Sequence, residues 1–129
     1  MANRYGEAAL MAARQVSATS ITPAECWKNS MDALYPTSKS ARNKSCPREA
    51  FLGLCEEGLV IGVPAGRYAR SQADKSYAIR AVSLLTEGKQ HWSRTALWHA
   101  VTDGEEKAEN SQMDVVLALW NNDLILGKS

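Results

Sequence analysis

The side chains that most often carry nucleophilic or metal-binding chemistry are few in this chain and far apart. They are Cys26, Cys46, Cys55, His91 and His99. None of them belongs to a C-x-x-C or H-x-x-x-C pair, the short spacings that are typical of metal sites. We therefore predict no metal site, no cofactor and no catalytic residue, and we interpret the cysteines as small buried or half-buried side chains.

One pairing keeps an enzyme among the hypotheses. A comparison of the chain with itself places Cys26 opposite His91, so the two side chains could meet across an internal axis. A thiolate beside an imidazole can act as nucleophile and general base. Neither residue lies in a glycine-rich turn, and no carboxylate can be assigned to orient the imidazole. An enzyme with a cysteine–histidine pair is therefore the third hypothesis.

Cationic side chains are concentrated in the middle of the chain. Residues 36–80 carry an excess of four positive charges, although the formal net charge of the whole chain is +1. The basic residues gather before the third predicted helix and in the connection that follows it: Lys39, Arg42, Lys44, Arg48, Arg67 and Arg70. If the two loops lie side by side, they form a cationic patch able to bind phosphates. Nucleic-acid binding is therefore the second hypothesis.

An aromatic side chain points to a different partner. Trp98 falls off the main apolar stripe of its predicted helix, so we expect it to be exposed on an interaction surface. No residue pattern indicates catalysis, and the charge is polarised along the chain. The leading hypothesis is therefore a non-enzymatic binding module whose partner is another protein.

Length and composition are those of one globular domain. The chain has 129 residues, of which 45% are hydrophobic and 22% charged, so we expect a single domain over residues 1–129. No apolar run is long enough to span a membrane, and the N-terminal stretch lacks the apolar core of a signal peptide. An odd number of widely spaced cysteines fits a reducing compartment. We expect a cytoplasmic protein with no membrane contact.

Helix signals dominate the pattern and predict an all-α fold of about six helices. The first three predicted helices cover about residues 4–17 with Asn3 as cap, run from Thr22 as cap to a stop at Pro36, and run from Ser45 or Cys46 as cap to Gly58. The other three run from Ser71 as cap to near Gly88, include Trp92 and end near Gly104, and start with Ser111 as cap. Residues 60–69 are either a small β-hairpin or an apolar loop folded onto the core. The carboxylates of Glu49, Glu56 and Glu57 are expected to be solvated.

An internal repeat relates the two halves of the chain. Residues 46–62 align without gaps to residues 111–127 at an offset of 65, with Val60 opposite Ile125. The candidate repeat units are residues 3–62 and 75–127. This pattern favours a duplication, in which two three-helix units share one core around an approximate twofold axis.

Two resemblances add to this interpretation. The residues Leu54, Gly58, Leu59 and Val60 resemble the end of the third helix in a winged helix-turn-helix unit, with Val60–Ala69 as the wing. That resemblance implies that the third helix docks into a DNA major groove through Arg48.

The chain also resembles, over nearly its whole length, a group of small uncharacterised bacterial proteins. The shared motifs are N-x-Y-G-E-A-A at Asn3–Ala9, CP-x-x-AFLGLCEEGLV at Cys46–Val60 and QMDVVLALW at Gln112–Trp120. This second resemblance implies a bacterial, cytoplasmic protein and carries no catalytic residue.

Overall fold

The computed structural model describes residues 4–127, and helices make up most of this part of the chain. The helices are α1 (Tyr5–Ala18), α2 (Pro23–Leu34), α3 (Lys39–Arg42), α4 (Ser45–Glu56), α5 (Gln72–Glu87), α6 (Arg94–Val101) and α7 (Gln112–Asn121). Helix α3 is a single turn inside a predicted loop, and the other six correspond to the six predicted helices. No strand forms among residues 4–127, so the predicted all-α fold is confirmed.

Two helices begin at the predicted capping side chains. The Thr22 hydroxyl accepts a hydrogen bond from the Glu25 N–H at 3.3 Å at the start of α2. The Ser71 hydroxyl accepts one from the Asp74 N–H at 3.2 Å at the start of α5. Each cap satisfies a backbone donor that has no partner within the first turn. The predicted cap Asn3 lies outside the described residues.

The start of α7 differs from the prediction. Ser111 adopts a left-handed conformation with a φ of 72°, and its hydroxyl does not cap the helix. The carboxylate of Glu109 instead accepts a hydrogen bond from the Met113 N–H at 3.0 Å. A carboxylate at this end also interacts favourably with the helix dipole. The pattern located the helix start correctly but indicated the wrong side chain.

The first helix of each predicted half packs on the last helix of the other half. Helix α1 contacts α2 and α7, whereas α5 contacts α4, α6 and α7. One cluster of buried apolar side chains includes residues from all six longer helices. Large, fully buried members are Trp27, Met31, Phe51, Leu54 and Met113. The two halves therefore share one core.

Residues 60–69 form no hairpin, so the alternative of an apolar loop on the core is the observed one. Val60 and Val63 are buried, and Val60 makes an isolated antiparallel bridge with Ile125. The apolar run after α4 therefore pairs with the chain after α7 and not with its own continuation. Because the predicted wing is this hairpin, the winged-helix expectation is wrong in this part of the chain.

The two hydrogen bonds of this bridge are reciprocal. The Ile61 N–H donates to the Leu124 carbonyl at 2.9 Å, and the Leu126 N–H donates to the Leu59 carbonyl at 2.8 Å. Such reciprocity is a property of every antiparallel bridge. The bridged residues, Val60 and Ile125, are a pair that the offset of 65 residues places opposite each other. The internal duplication stays a prediction, which this pairing supports.

Candidate ligand-binding site

A cavity of about 510 Å³ lies between α2, α3, α4 and the connecting segment, which we define as residues 64–71. Its cationic lining residues are Lys28, Lys39, Arg42, Arg48 and Arg70. Four of the six cations predicted from the sequence therefore converge on one concavity, from three separate parts of the chain. We call it the cationic cavity.

Backbone carbonyls after α2 hold Arg42 in place. Its Nη1 atom donates to the carbonyl oxygens of Tyr35 at 2.8 Å and Pro36 at 2.9 Å. Its Nε atom lies 3.7 Å from the Asp32 carboxylate, and the side chain is only 27% exposed. These contacts hold the Arg42 side chain in one conformation at the cavity, because a guanidinium with several bonds loses its rotamer freedom.

Glu49 joins the cavity to the connecting segment. Its carboxylate accepts hydrogen bonds from the backbone N–H groups of Arg70 and Ser71, the latter at 2.7 Å. Its other oxygen lies 3.3 Å from the Arg48 Nε atom. Glu49 is 2% exposed, so the expectation of a solvated carboxylate is wrong. A buried carboxylate with three such donors is well satisfied.

Glu56 makes the matching contact two helical turns further along α4. One carboxylate oxygen accepts from the N–H groups of Tyr68 at 2.8 Å and Ala69 at 3.1 Å, and the other contacts Lys75. The hydrogen bond from Lys75, followed by the two backbone bonds, lowers the pKa of Glu56 to about 2. Glu57 is exposed as expected, and it pairs with Lys75 at 2.6 Å. The connecting segment therefore covers the side of α4 that carries Glu49 and Glu56.

Ion pairs within the cavity leave two of its cations unpaired. Five cationic and three acidic side chains line it, an excess of two positive charges. The paired cations are Lys28 and Arg42, which face Asp32, and Arg48, which faces Glu49. Lys39 and Arg70 are exposed, and their side chains have no hydrogen bond or ion pair among residues 4–127. Lys39 and Arg70 are therefore the cations of the cavity that no internal side chain neutralises.

Aromatic and apolar groups complete the lining. Trp27 is 2% exposed and stacks on Phe51 with ring centroids 5.4 Å apart. Its indole N–H is buried and has no acceptor within the described part of the chain. Tyr68, in the connecting segment, also lines the cavity, and its hydroxyl donates a hydrogen bond to the Pro64 carbonyl at 2.7 Å. These rigid rings set the shape of the cavity without adding charge.

Two of the predicted cations lie outside the cavity lining. The Lys44 Nζ atom is 5.6 Å from the centre of the Tyr5 ring, a cation–π contact. Arg67 is exposed, with no side-chain partner among the described residues. The expected single patch of six cations is therefore a group of four around the cavity and two separate side chains.

The expectation that Trp98 is exposed is wrong. Trp98 is 8% exposed, packs edge-on against Tyr77 and donates its indole N–H to the Lys107 carbonyl at 2.8 Å. It is the fifth residue of α6, as Trp27 is the fifth residue of α2. Trp92, which the sequence placed in the helix, precedes it. The apolar stripe was therefore assigned in the wrong register.

The cysteine–histidine pair gains no support from the geometry. Cys26 is fully buried, and its Sγ atom lies 3.8 Å from the Ile21 carbonyl oxygen. Burial raises the pKa of its thiol, which disfavours the nucleophilic thiolate. His91 lies in an exposed loop and makes no hydrogen bond to Cys26. No group of three or more possible ligands among residues 4–127 could hold a metal ion.

The sequence interpretation missed Asp32 and Glu49 as lining residues, and it missed Glu56 as a residue that holds the connecting segment. One signal was available, because Glu49 and Glu56 are seven residues apart and therefore lie on one face of α4. In the folded protein this face of α4 is packed against other residues and not open to solvent. Carboxylates at such positions need internal donors.

The comparisons with known proteins agree with an uncharacterised group. No helix of the described residues is long and apolar enough to cross a membrane. No curated protein and no solved structure matches the chain. A family of unknown function, DUF6979, matches residues 2–126. The expected similarity to an uncharacterised group is thereby confirmed, and because the match covers nearly the whole chain, the protein belongs to DUF6979.

Proposed function

We propose that the protein is a non-enzymatic binding protein whose anionic ligand occupies the cationic cavity. The observation that carries the proposal is the convergence of Lys39, Arg42 and Arg48 with Arg70 on one cavity. Charges that serve only solubility need no common concavity, whereas convergent cations in a cleft raise the local concentration of anions. The volume of about 510 Å³ falls in the range of roughly 300–1,000 Å³ that is common for small-molecule sites.

The leading hypothesis from the sequence is retained in a changed form. A binding module remains the proposal, but its surface is the cationic cavity and not Trp98, because the buried indole no longer supports a protein interface. A cytoplasmic location in a bacterium is part of the same proposal. It is supported by three cysteines that are all unpaired thiols.

Nucleic-acid binding is the second candidate. Lys44 and Arg67 favour it, because both are exposed cations outside the cavity and could contact a backbone that extends beyond it. This mode would depend strongly on salt, since each phosphate contact releases counterions. It would not use a wing, because residues 60–69 form none.

The test is a titration of the purified protein with small anions and with a labelled random DNA duplex, at low and moderate salt. We expect saturable binding of a small anion that is lost in the double variant Lys39→Glu, Arg70→Glu. The matched double variant Lys44→Glu, Arg67→Glu should bind the small anion as the wild type does. Duplex binding that only the second variant loses would favour the nucleic-acid candidate. If no small anion in the panel binds, the proposal is wrong.

A further inference from the structure

We infer that the ligand of the cationic cavity is the terminal phosphate monoester of a small molecule, bound by Lys39 and Arg70. This inference rests on the proposed function and narrows it from anions in general to one chemical class. It depends on which charges of the cavity are already neutralised within the protein.

Two of the three acidic side chains that line the cavity are engaged with internal donors. Glu49 receives two backbone N–H groups and Arg48, and Asp32 faces both Lys28 and Arg42. These carboxylates therefore repel an incoming anion less than isolated ones would. Glu25 is the remaining acidic lining residue, and it is exposed.

The unpaired cations set the charge that the ligand must bring. Lys39 and Arg70 extend from α3 and from the connecting segment into the lining of one cavity. A phosphate monoester carries about −1.5 to −2 charges at pH 7 and three acceptor oxygens. It can therefore engage an ammonium and a guanidinium together, and the guanidinium offers two parallel N–H donors. A carboxylate or a phosphodiester brings one negative charge per group and leaves one cation unpaired.

The anchoring of Arg70 favours a compact ligand. Its backbone N–H is tied to Glu49, so its side chain starts from a fixed point at the cavity. Lys44, whose ammonium lies over the Tyr5 ring, and Arg67 are outside the lining, so a ligand inside the cavity meets Lys39 and Arg70 but not these two cations. The cavity therefore suits one terminal group of a small molecule.

The experiment measures amide chemical shifts of the full chain during titration with phenyl phosphate, dimethyl phosphate, succinate and a phosphoserine peptide. We expect phenyl phosphate to shift the amides of residues 39–42 and 68–71. Its affinity should fall about tenfold or more in Lys39→Gln and in Arg70→Gln, since each loses a charge-assisted hydrogen bond. Arg67→Gln is the matched control and should bind as the wild type does. Binding should also weaken as the pH falls below about 6, because the monoester then gains a proton.

The outcomes separate this inference from the proposed function. Binding of succinate or dimethyl phosphate in the cavity, with no preference for phenyl phosphate, would overturn the phosphate inference and leave the proposed function standing. A phosphoserine peptide that binds more tightly than phenyl phosphate would overturn the small-molecule source in favour of a modified protein. If none of the four probes shifts the cavity amides, both proposals are wrong.

Discussion

Two glutamates on α4 hold four consecutive backbone donors of the connecting segment. Glu56 accepts from the N–H groups of residues 68 and 69, and Glu49 accepts from those of residues 70 and 71. Residues 64–71 contain no helix or strand beyond the cap of α5, so these N–H groups have no regular ladder to enter. The carboxylates supply the acceptors that secondary structure would otherwise provide.

Removal of the Glu49 carboxylate should destabilise the protein strongly. Glu49→Ala leaves two backbone N–H groups and Arg48 without their acceptor in a buried place, and we expect a loss of about 3 kcal/mol in the free energy of unfolding. Glu49→Gln keeps an acceptor oxygen and should lose about 1 kcal/mol. Urea unfolding measures both. The control Glu57→Ala removes a half-exposed ion pair and should change the free energy by less than about 1 kcal/mol. Equal losses in the free energy of unfolding for Glu49→Ala and Glu57→Ala would contradict the role of Glu49 as the buried acceptor of the connecting segment.

Glu56 should make the stability depend on pH in the acid range. Its pKa is about 2 in the folded protein, below the ordinary value of 4.5. A carboxyl with a lowered pKa stabilises the fold above its unfolded pKa, and that contribution disappears as the pH falls through the folded pKa. We expect the melting temperature of the wild type to fall more steeply between pH 5 and pH 2 than that of Glu56→Gln. Glu106→Gln, at an exposed position, should follow the wild type, and parallel curves for all three proteins would exclude this role.

At the scale of the helices, two glycines set how closely the halves approach. A Cβ atom built on Gly53 would lie 2.8 Å from the Lys75 Cα atom of α5, and one built on Gly6 would lie 2.9 Å from the Asp114 carbonyl oxygen of α7. Both glycines therefore sit where the first helix of one half crosses the last helix of the other. Close backbone contact of this kind is possible only without a side chain.

Gly53→Ala should therefore destabilise the protein, against the intrinsic preference of a helix. In an exposed helix the change would stabilise by about 1 kcal/mol, but here the overlap with the α5 backbone should cost about 1–3 kcal/mol. The sign of the change in thermal stability decides between the two effects. Ser83→Ala, at an exposed position of α5, is the control and should be neutral or slightly stabilising. A Gly53→Ala variant more stable than the wild type would show that α4 and α5 are not in close contact.

Local patterns predicted the elements well and the site only in part. Helix starts at Thr22 and Ser71 follow from side chains that bond within one turn, so the sequence alone is enough. The charge excess of residues 36–80 indicated that Lys39 and Arg70 could lie together. The cavity that they line depends on how α3 and the connecting segment pack, which the charge pattern does not contain. The burial of Trp98 depends on a tertiary partner, Tyr77, that no helical periodicity contains.

At the scale of the whole molecule, the contacts between helices of different halves predict that neither half folds alone. Helix α1 packs on α7, α5 packs on α4, and the only bridge formed among the described residues joins residue 60 to residue 125. A half separated from the other would expose the apolar faces of its first and last helices. About 60 residues with half of a shared core should not reach the stability that a folded domain needs.

A chain cut after residue 65 should therefore fold only when both pieces are present. We expect fragments 1–65 and 66–129 to show little helix alone by circular dichroism at 222 nm. An equimolar mixture should regain helix and melt in one sigmoidal transition, because α1 can then pack against α7 and α5 against α4. Introducing Glu49→Ala into the first fragment should weaken this association, since Glu49 binds the N–H groups of residues 70 and 71 on the other fragment. A cooperative transition of fragment 1–65 alone, as a monomer, would contradict the shared core and would indicate two autonomous halves.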